Sequence, residues 1–162
     1  APPSMAEIGL MQDSQTLISA LQLSTQPKEH LEALQRKRVT AIAWDFIQDD
    51  DGVYPIVRSM GEIAGNTSIL IAAELLCSGK NSRRAMFGGI TGIQPSEVVI
   101  IGAGTVGEYA TRAALGLGAT VQIFDRSMYK LRRLQSDIGQ RLNTCTMHPE
   151  TLARALEARI AA

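Results

Sequence analysis

The sequence predicts an α/β protein built on part of a doubly wound parallel sheet, and two observations predict it. The first is the run Glu97-Val98-Val99-Ile100-Ile101, short, apolar and β-branched, which reads as a strand buried on both faces. The second lies directly after that run. Gly102-Ala103-Gly104-Thr105-Val106-Gly107 is a G-x-G-x-x-G turn, and Val106, Ala110, Ala113, Ala114 and Leu117 then recur at helical spacing. Gly116 and Gly118 end that helix, and Thr120 to Phe124 is a second strand closing on Asp125. Strand, turn, helix, strand and acid stand in the order that one βαβ unit demands.

A dinucleotide explains each residue of the turn. Gly102 permits the sharp strand-to-helix bend, and Gly104 lets bare main chain approach a pyrophosphate. Gly107 lets the helix lie close against the strand. Thr105 and Val106 open the helix, whose first N–H groups and positive dipole end suit a diphosphate. Asp125 lies 18 residues past Gly107, where a carboxylate accepts hydrogen bonds from the adenosine ribose. The competing reading is a βα unit whose glycines serve packing alone; the complete order of elements favours the coenzyme.

Composition bounds the rest. With 162 residues, 45% hydrophobic and 20% charged, the chain has the length and makeup of one globular domain with a real core. Sixteen basic residues balance sixteen acidic ones, and aromatics are 4%, which gives no electrostatic or stacking surface for nucleic acid or membrane. Cys77 and Cys145 are too few for a disulfide framework or a zinc site, so no metal is expected and both read as small core residues. The sequence shows no signal peptide and no 18-residue apolar span, which makes the cytoplasm the default location. The βαβ pattern begins only at residue 97, leaving room for about three strands where a full sheet has about six. A segment of a longer protein is therefore expected.

Taken in order, Met5 to Met11 is weakly helical and Thr16 to Leu21 a short strand. Pro27 suits a first helical turn, with a helix over 27–37 ending in Gln35-Arg36-Lys37-Arg38, a solvated C-terminus rather than a basic patch. A strand is expected over Val39–Ile47. Asp49-Asp50-Asp51-Gly52 fails the calcium-loop spacing and reads as an acidic turn. Ser59-Met60-Gly61-Glu62 has the capping-box form and predicts a helix over 60–78, apolar nearly all round and so buried on several sides, ended by Gly79. Lys80, Arg83 and Arg84 belong to a polar loop, more simply solvated than phosphate-binding.

Gly88 to Pro95 is a second glycine-rich stretch; because it precedes the strand it is not the phosphate loop, and turn chemistry is the safer reading against close passage beside a bound cofactor. After Asp125, Ser127 caps a helix with Met128, Leu131, Leu134 and Ile138 on one face and Gly139 at its end. Lys130, one turn in, reaches back toward the ribose or adenine edge. Arg126 could select a 2′-phosphate, but Asp125 would repel that group, which favours NAD. Leu142 to Met147 is a third strand, and Pro149 opens a last helix with Leu152, Leu156 and Ile160 inward.

These residues resemble a family: the alanine dehydrogenases and the related NAD-binding subunit of proton-translocating transhydrogenase. Met60-Gly61-Glu62-Ile63-Ala64-Gly65 resembles its M-S-E-[VI]-A-G, and Gly88 to Pro95 its G-G-[VI]-x-G-V-x-P. Beyond the turn, Ala110, Ala114, Gly116, Gly118 to Val121 and Asp125 match its longer signature. The resemblance implies a homo-oligomeric enzyme that oxidises L-alanine to pyruvate and ammonia with NAD, and a small amino acid as partner. Gly102, Gly104, Thr105, Val106 and Gly107 would then hold the pyrophosphate, Asp125 the ribose and Lys130 the adenosine edge.

Three positions depart from the family. Gly61 stands where a serine often touches the coenzyme phosphate, and Val106 replaces a smaller residue. Leu21-Gln22-Leu23 stands where the family has L-H-L, and glutamine cannot act as a general acid or base. The catalytic residue is therefore unknown from this chain. Residues 1–55 are expected to be the remnant of a substrate domain, 56–85 the connecting helix and loop, and 86–162 the first half of a Rossmann domain. The alternatives are the transhydrogenase NAD subunit, a non-catalytic dinucleotide-binding module, and a structural segment without ligand.

Overall fold

A computed structural model describes residues 1–78 and 84–160, with side chains described to 157. The chain divides into two compact units, Ala1–Ser59 and Met60–Ala162.

In the first unit α1 (Met5–Leu10) is closed by a complete capping box between Ser4 and Glu7. Strands β1 (Thr16–Ser19) and β2 (Thr40–Ala43) pair in parallel, Thr16 opposite Thr40, with α2 (Lys28–Arg36) as the crossover. Ile8, Ala33 and Leu34 form its small core, with Met11, Leu17 and Val39 against them. The strand expected over 39–47 is shorter. It gives way at Trp44–Phe46 to a 3-10 turn, which Asp45 ties to the segment after β1.

Helix α3 runs Pro55–Cys77, five residues earlier than the capping box suggested. Proline fits the first helical position, so Ser59 lies inside the helix and its hydroxyl donates to the Pro55 carbonyl at 3.0 Å. Its all-round burial is not found: Gly65 and Ile69 are buried, while Ile63, Leu70 and Leu75 are 66%, 64% and 66% exposed. At 23 residues and a hydropathy of 1.2 it also meets the length and composition of a membrane span, contrary to the reading that no such run exists. Its glycines and hydroxyls had masked that run. Cys77, expected in the core, is exposed, and Cys145 is half-buried. Gly79, Lys80 and Arg83 lie outside the described residues.

The second unit carries β3 (Glu97–Ile101), α4 (Thr105–Gly116), β4 (Thr120–Asp125), α5 (Met128–Ile138), β5 (Asn143–Thr146) and α6 (Pro149–Ile160). The sheet is parallel in the order β3-β4-β5, with Ile100 opposite Ile123 and Phe124 opposite Cys145. This is the partial doubly wound α/β architecture. The strand buried on both faces is β4, through Val121, Ile123 and Phe124. In β3, an outer strand of this sheet, Ile101 is exposed. Ala110 and Ala114 of α4 and Leu131 and Leu134 of α5 close the core over it, whereas Val106, Leu117 and Met128 are exposed. In α6 Ala155 is buried and Leu156 exposed, so the inward face is rotated from the expected one; Ile160 lies outside the described side chains.

Candidate functional site

The site forms where β3 and β4 end. Gly102 leaves β3 with φ +106°, a conformation that a side chain would oppose, and its N–H donates to the Phe124 carbonyl at 2.7 Å. Gly104 is the N-cap residue of α4, and no side chain caps the helix start. A Cβ at Gly104 would meet nothing within 4 Å, so the space beside it is open. At Gly107 the same atom would lie 1.9 Å from the Gly102 carbonyl oxygen. The three glycines thus do different things: one bends, one leaves room and one permits contact.

Asp125, last residue of β4, faces this turn. Its Oδ2 accepts the N–H of Ala103 at 2.7 Å and its Oδ1 the N–H of Ser127 at 2.7 Å. The Ala103 bond, then the Ser127 bond, holds its carboxyl below the ordinary value, and the Lys130 and Arg126 charges add to this. A carboxylate has about four lone pairs, so two main-chain donors leave capacity for two hydroxyls.

Ile101, Gly102, Asp125, Arg126, Lys130 and Met147 line a cleft of about 640 Å³ at these strand ends. Thr105, Val106 and Gly107 come next, in the first turn of α4; Thr105 and Val106 also pass beside Gly61 of α3, where a Cβ would sit 3.4 Å from Thr105 Cγ2. A small side chain would fit at Gly61. Gln22 lies in the other unit.

A larger hollow, about 1050 Å³, opens at the other end of the sheet between Gln135 and Thr144. It faces the C-terminus of α5, the negative end of a helix, where Gly139 is the C-cap; a diphosphate suits the smaller cleft.

Arg133, which the sequence reading passed over, reaches the Ala103 carbonyl at 3.4 Å and Asp137 at 3.6 Å. Its spacing of three from Lys130 on α5 was the available signal. Gly65, quoted above only as the end of a motif, has a packing role: a Cβ there would lie 2.5 Å from the Val106 carbonyl oxygen and 2.9 Å from the Ala110 nitrogen, so α3 presses main chain to main chain on α4. Among the described residues no three His, Cys, Asp or Glu side chains converge as a metal site requires.

Comparison with known proteins identifies the family. Residues 1–64 match the N-terminal domain, and residues 68–160 the C-terminal domain, of the alanine dehydrogenase/PNT family. The chain belongs to that family. It is 37% identical over 142 residues to alanine dehydrogenase of Mycolicibacterium smegmatis, covering 88% of this chain and 38% of that protein. It is 34% identical over 155 residues to that of Methanococcus maripaludis, covering 96% and 41%.

Among solved structures, an L-alanine dehydrogenase superposes with a TM-score of 0.81 at 35% identity, over 94% of this chain and 42% of that one. A transhydrogenase from Sinorhizobium meliloti gives 0.71 at 18% identity over 99% and 45%, a likeness of fold. The chain thus spans about two-fifths of the length of these relatives. Membership places it in a dehydrogenase family with a dinucleotide-binding role.

Proposed function

We propose that this chain carries the coenzyme-binding part of an NAD-dependent amino-acid dehydrogenase, acting reversibly on L-alanine to give pyruvate and ammonia. The observation that carries the reading is Asp125 bonded into the turn of Gly102, Ala103 and Gly104, beside an uncapped helix start. The named relatives at 34–37% identity favour alanine over other substrates.

In this reading the N–H groups of Gly104, Thr105, Val106 and Gly107 face the pyrophosphate, and the open space at Gly104 lets it approach. Asp125 accepts the ribose hydroxyls with its remaining lone pairs, and Lys130 lies over the adenosine edge of the cleft. NAD, once bound, supplies the hydride acceptor. Asp125 disfavours a 2′-phosphate, so NAD is preferred over NADP. Gln22 can donate a hydrogen bond to a carboxylate or carbonyl but cannot move a proton, so proton transfer belongs to another residue.

Residues 1–55 are assigned to a substrate domain, 56–85 to its connection and 86–162 to the first half of the NAD domain. The matched spans 1–64 and 68–160 support this division. A cytoplasmic homo-oligomer is the corresponding state of the whole enzyme. The test is the protein encoded by the whole reading frame that holds this chain. It should reduce NAD when L-alanine is added; NAD binding without turnover would favour a non-catalytic module.

A further inference from the structure

Asp45 sits in the 3-10 turn after β2, and each of its oxygens accepts a main-chain N–H from the segment after β1. Leu21 donates to Oδ1 at 3.0 Å and Gln22 to Oδ2 at 2.9 Å. Gln22 has φ +46°, in the left-handed region that a residue with a Cβ disfavours. Its carbonyl is held as well, accepting both the N–H and the hydroxyl of Thr25 at 2.9 Å. The main chain of Gln22 is therefore held on both sides while its side chain is exposed. Because β1 and β2 run parallel, the segments after them leave at the carboxyl end of the sheet, where parallel sheets carry their ligands. Strained conformations of this kind persist where surrounding bonds over-determine them, and they gather at functional sites.

We propose that Asp45 is a positioning residue for Gln22. It holds the main chain in the left-handed conformation, so that the Gln22 carboxamide stands ready to donate to the carboxylate or carbonyl of a small keto acid. The keto acid rests on the proposed dehydrogenase function; the positioning rests on the hydrogen bonds alone. Asp45 does not touch the ligand. Two bonds from consecutive N–H groups to one carboxylate offset the strain at residue 22. Glycine at 22 would adopt the same conformation without that hold. Substitutions at 22 and 45 should therefore be coupled.

The test is a double-mutant cycle on the full chain with Asp45→Asn and Gln22→Gly, read by denaturant unfolding and by amide NMR. Asp45→Asn turns one accepting oxygen into a donor that faces an N–H. It should raise the unfolding equilibrium constant at least about tenfold in the glutamine background and less than about threefold in the glycine background. The amide protons of residues 21 and 22 should move upfield in the single variant. The Gln22 carboxamide signals should shift with millimolar pyruvate in the unsubstituted chain and not in Asp45→Asn.

Equal losses in both backgrounds, or a pyruvate response untouched by Asp45→Asn, would overturn the proposal. If Asp45→Asn alone does not unfold cooperatively, the double variant should restore a cooperative transition; failure to do so counts against the coupling. NADH is titrated separately, with amides 102–107 as the reporters. Loss of that response with the coupling intact would sink the coenzyme reading and leave the positioning role standing.

Discussion

Asp125 Oδ2 accepts the main-chain N–H of Ala103 at 2.7 Å, so the acid that ends β4 is bonded into the glycine turn that ends β3. A residue read as a ribose ligand thereby also sets the shape of the phosphate turn. Asp125→Asn should weaken both functions. Charge-assisted hydrogen bonds contribute about 1.5–3 kcal/mol each, so NADH affinity should fall roughly tenfold to a hundredfold by calorimetry. In the apo chain the Ala103 amide proton should move upfield.

The glycines of the turn separate packing from binding. At Gly107 an added Cβ would lie 1.9 Å from a carbonyl oxygen, and at Gly104 it would meet nothing within 4 Å. Gly107→Ala should therefore destabilise by about 3 kcal/mol, as overpacking against main chain does, seen as a lower urea midpoint. Gly104→Ala should leave that midpoint nearly unchanged and still cost NADH affinity at least about tenfold, since the methyl occupies the space a phosphate needs. Equal effects of the two would contradict the division of roles.

Much of the fold was legible in the residues alone, and the reasons are specific. The second unit from Glu97 to Ile138 was readable because each step has a local cause: a β-branched run, a glycine turn, an alanine-faced helix, Ser127 as cap and Gly139 as stop. Ser127 does accept from the Lys130 N–H, and Gly139 does adopt φ +74°. What could not be read depends on contacts distant in sequence. Val39–Ile47 looks like one strand, and it turns at Trp44 because Asp45 bonds back to residues 21 and 22. The apolar circumference of α3 says nothing about which faces are covered, and Ile63, Leu70 and Leu75 are exposed. The site residues were chosen from spacing. The bond from Ala103 to Asp125 is a tertiary fact without a sequence pattern, and the spacing of Arg133 from Lys130 does not say that it reaches Ala103.

Gly65 offers a test in which helix propensity and packing have opposite signs. Alanine is favoured over glycine in a helix interior by about 1 kcal/mol. Here its methyl would stand 2.5 Å from the Val106 carbonyl oxygen. The contact should win, and Gly65→Ala should lower stability by about 1–3 kcal/mol; Gly61→Ala, in ordinary contact at 3.4 Å, should be neutral or stabilising. Thermal unfolding of the two variants decides the matter.

Three carboxylates should make the chain acid-sensitive in one direction. Asp125 is held below its ordinary pKa by Ala103 and then Ser127, and Glu7 by the N–H and then the hydroxyl of Ser4. At Asp45 desolvation pushes upward and is outweighed by the N–H groups of Gln22 and Leu21. A folded value depressed below the unfolded one gives stability that is complete above the unfolded value, near about pH 4 for aspartate. That contribution is lost as pH falls through the folded value. Stability should thus be flat from neutrality to about pH 5 with respect to these groups and decline below about pH 4. The decline should be shallower in Asp125→Asn.

The most direct measurement is an NADH titration of the chain followed by amide NMR. The account predicts saturable shifts at Gly102, Ala103, Gly104, Thr105, Val106, Gly107 and Asp125, needing at least about tenfold more NADH in Gly104→Ala, with NADPH binding at least about tenfold more weakly because Asp125 repels its extra phosphate. Shifts centred on residues 135–144, or none at all at millimolar NADH, would contradict it.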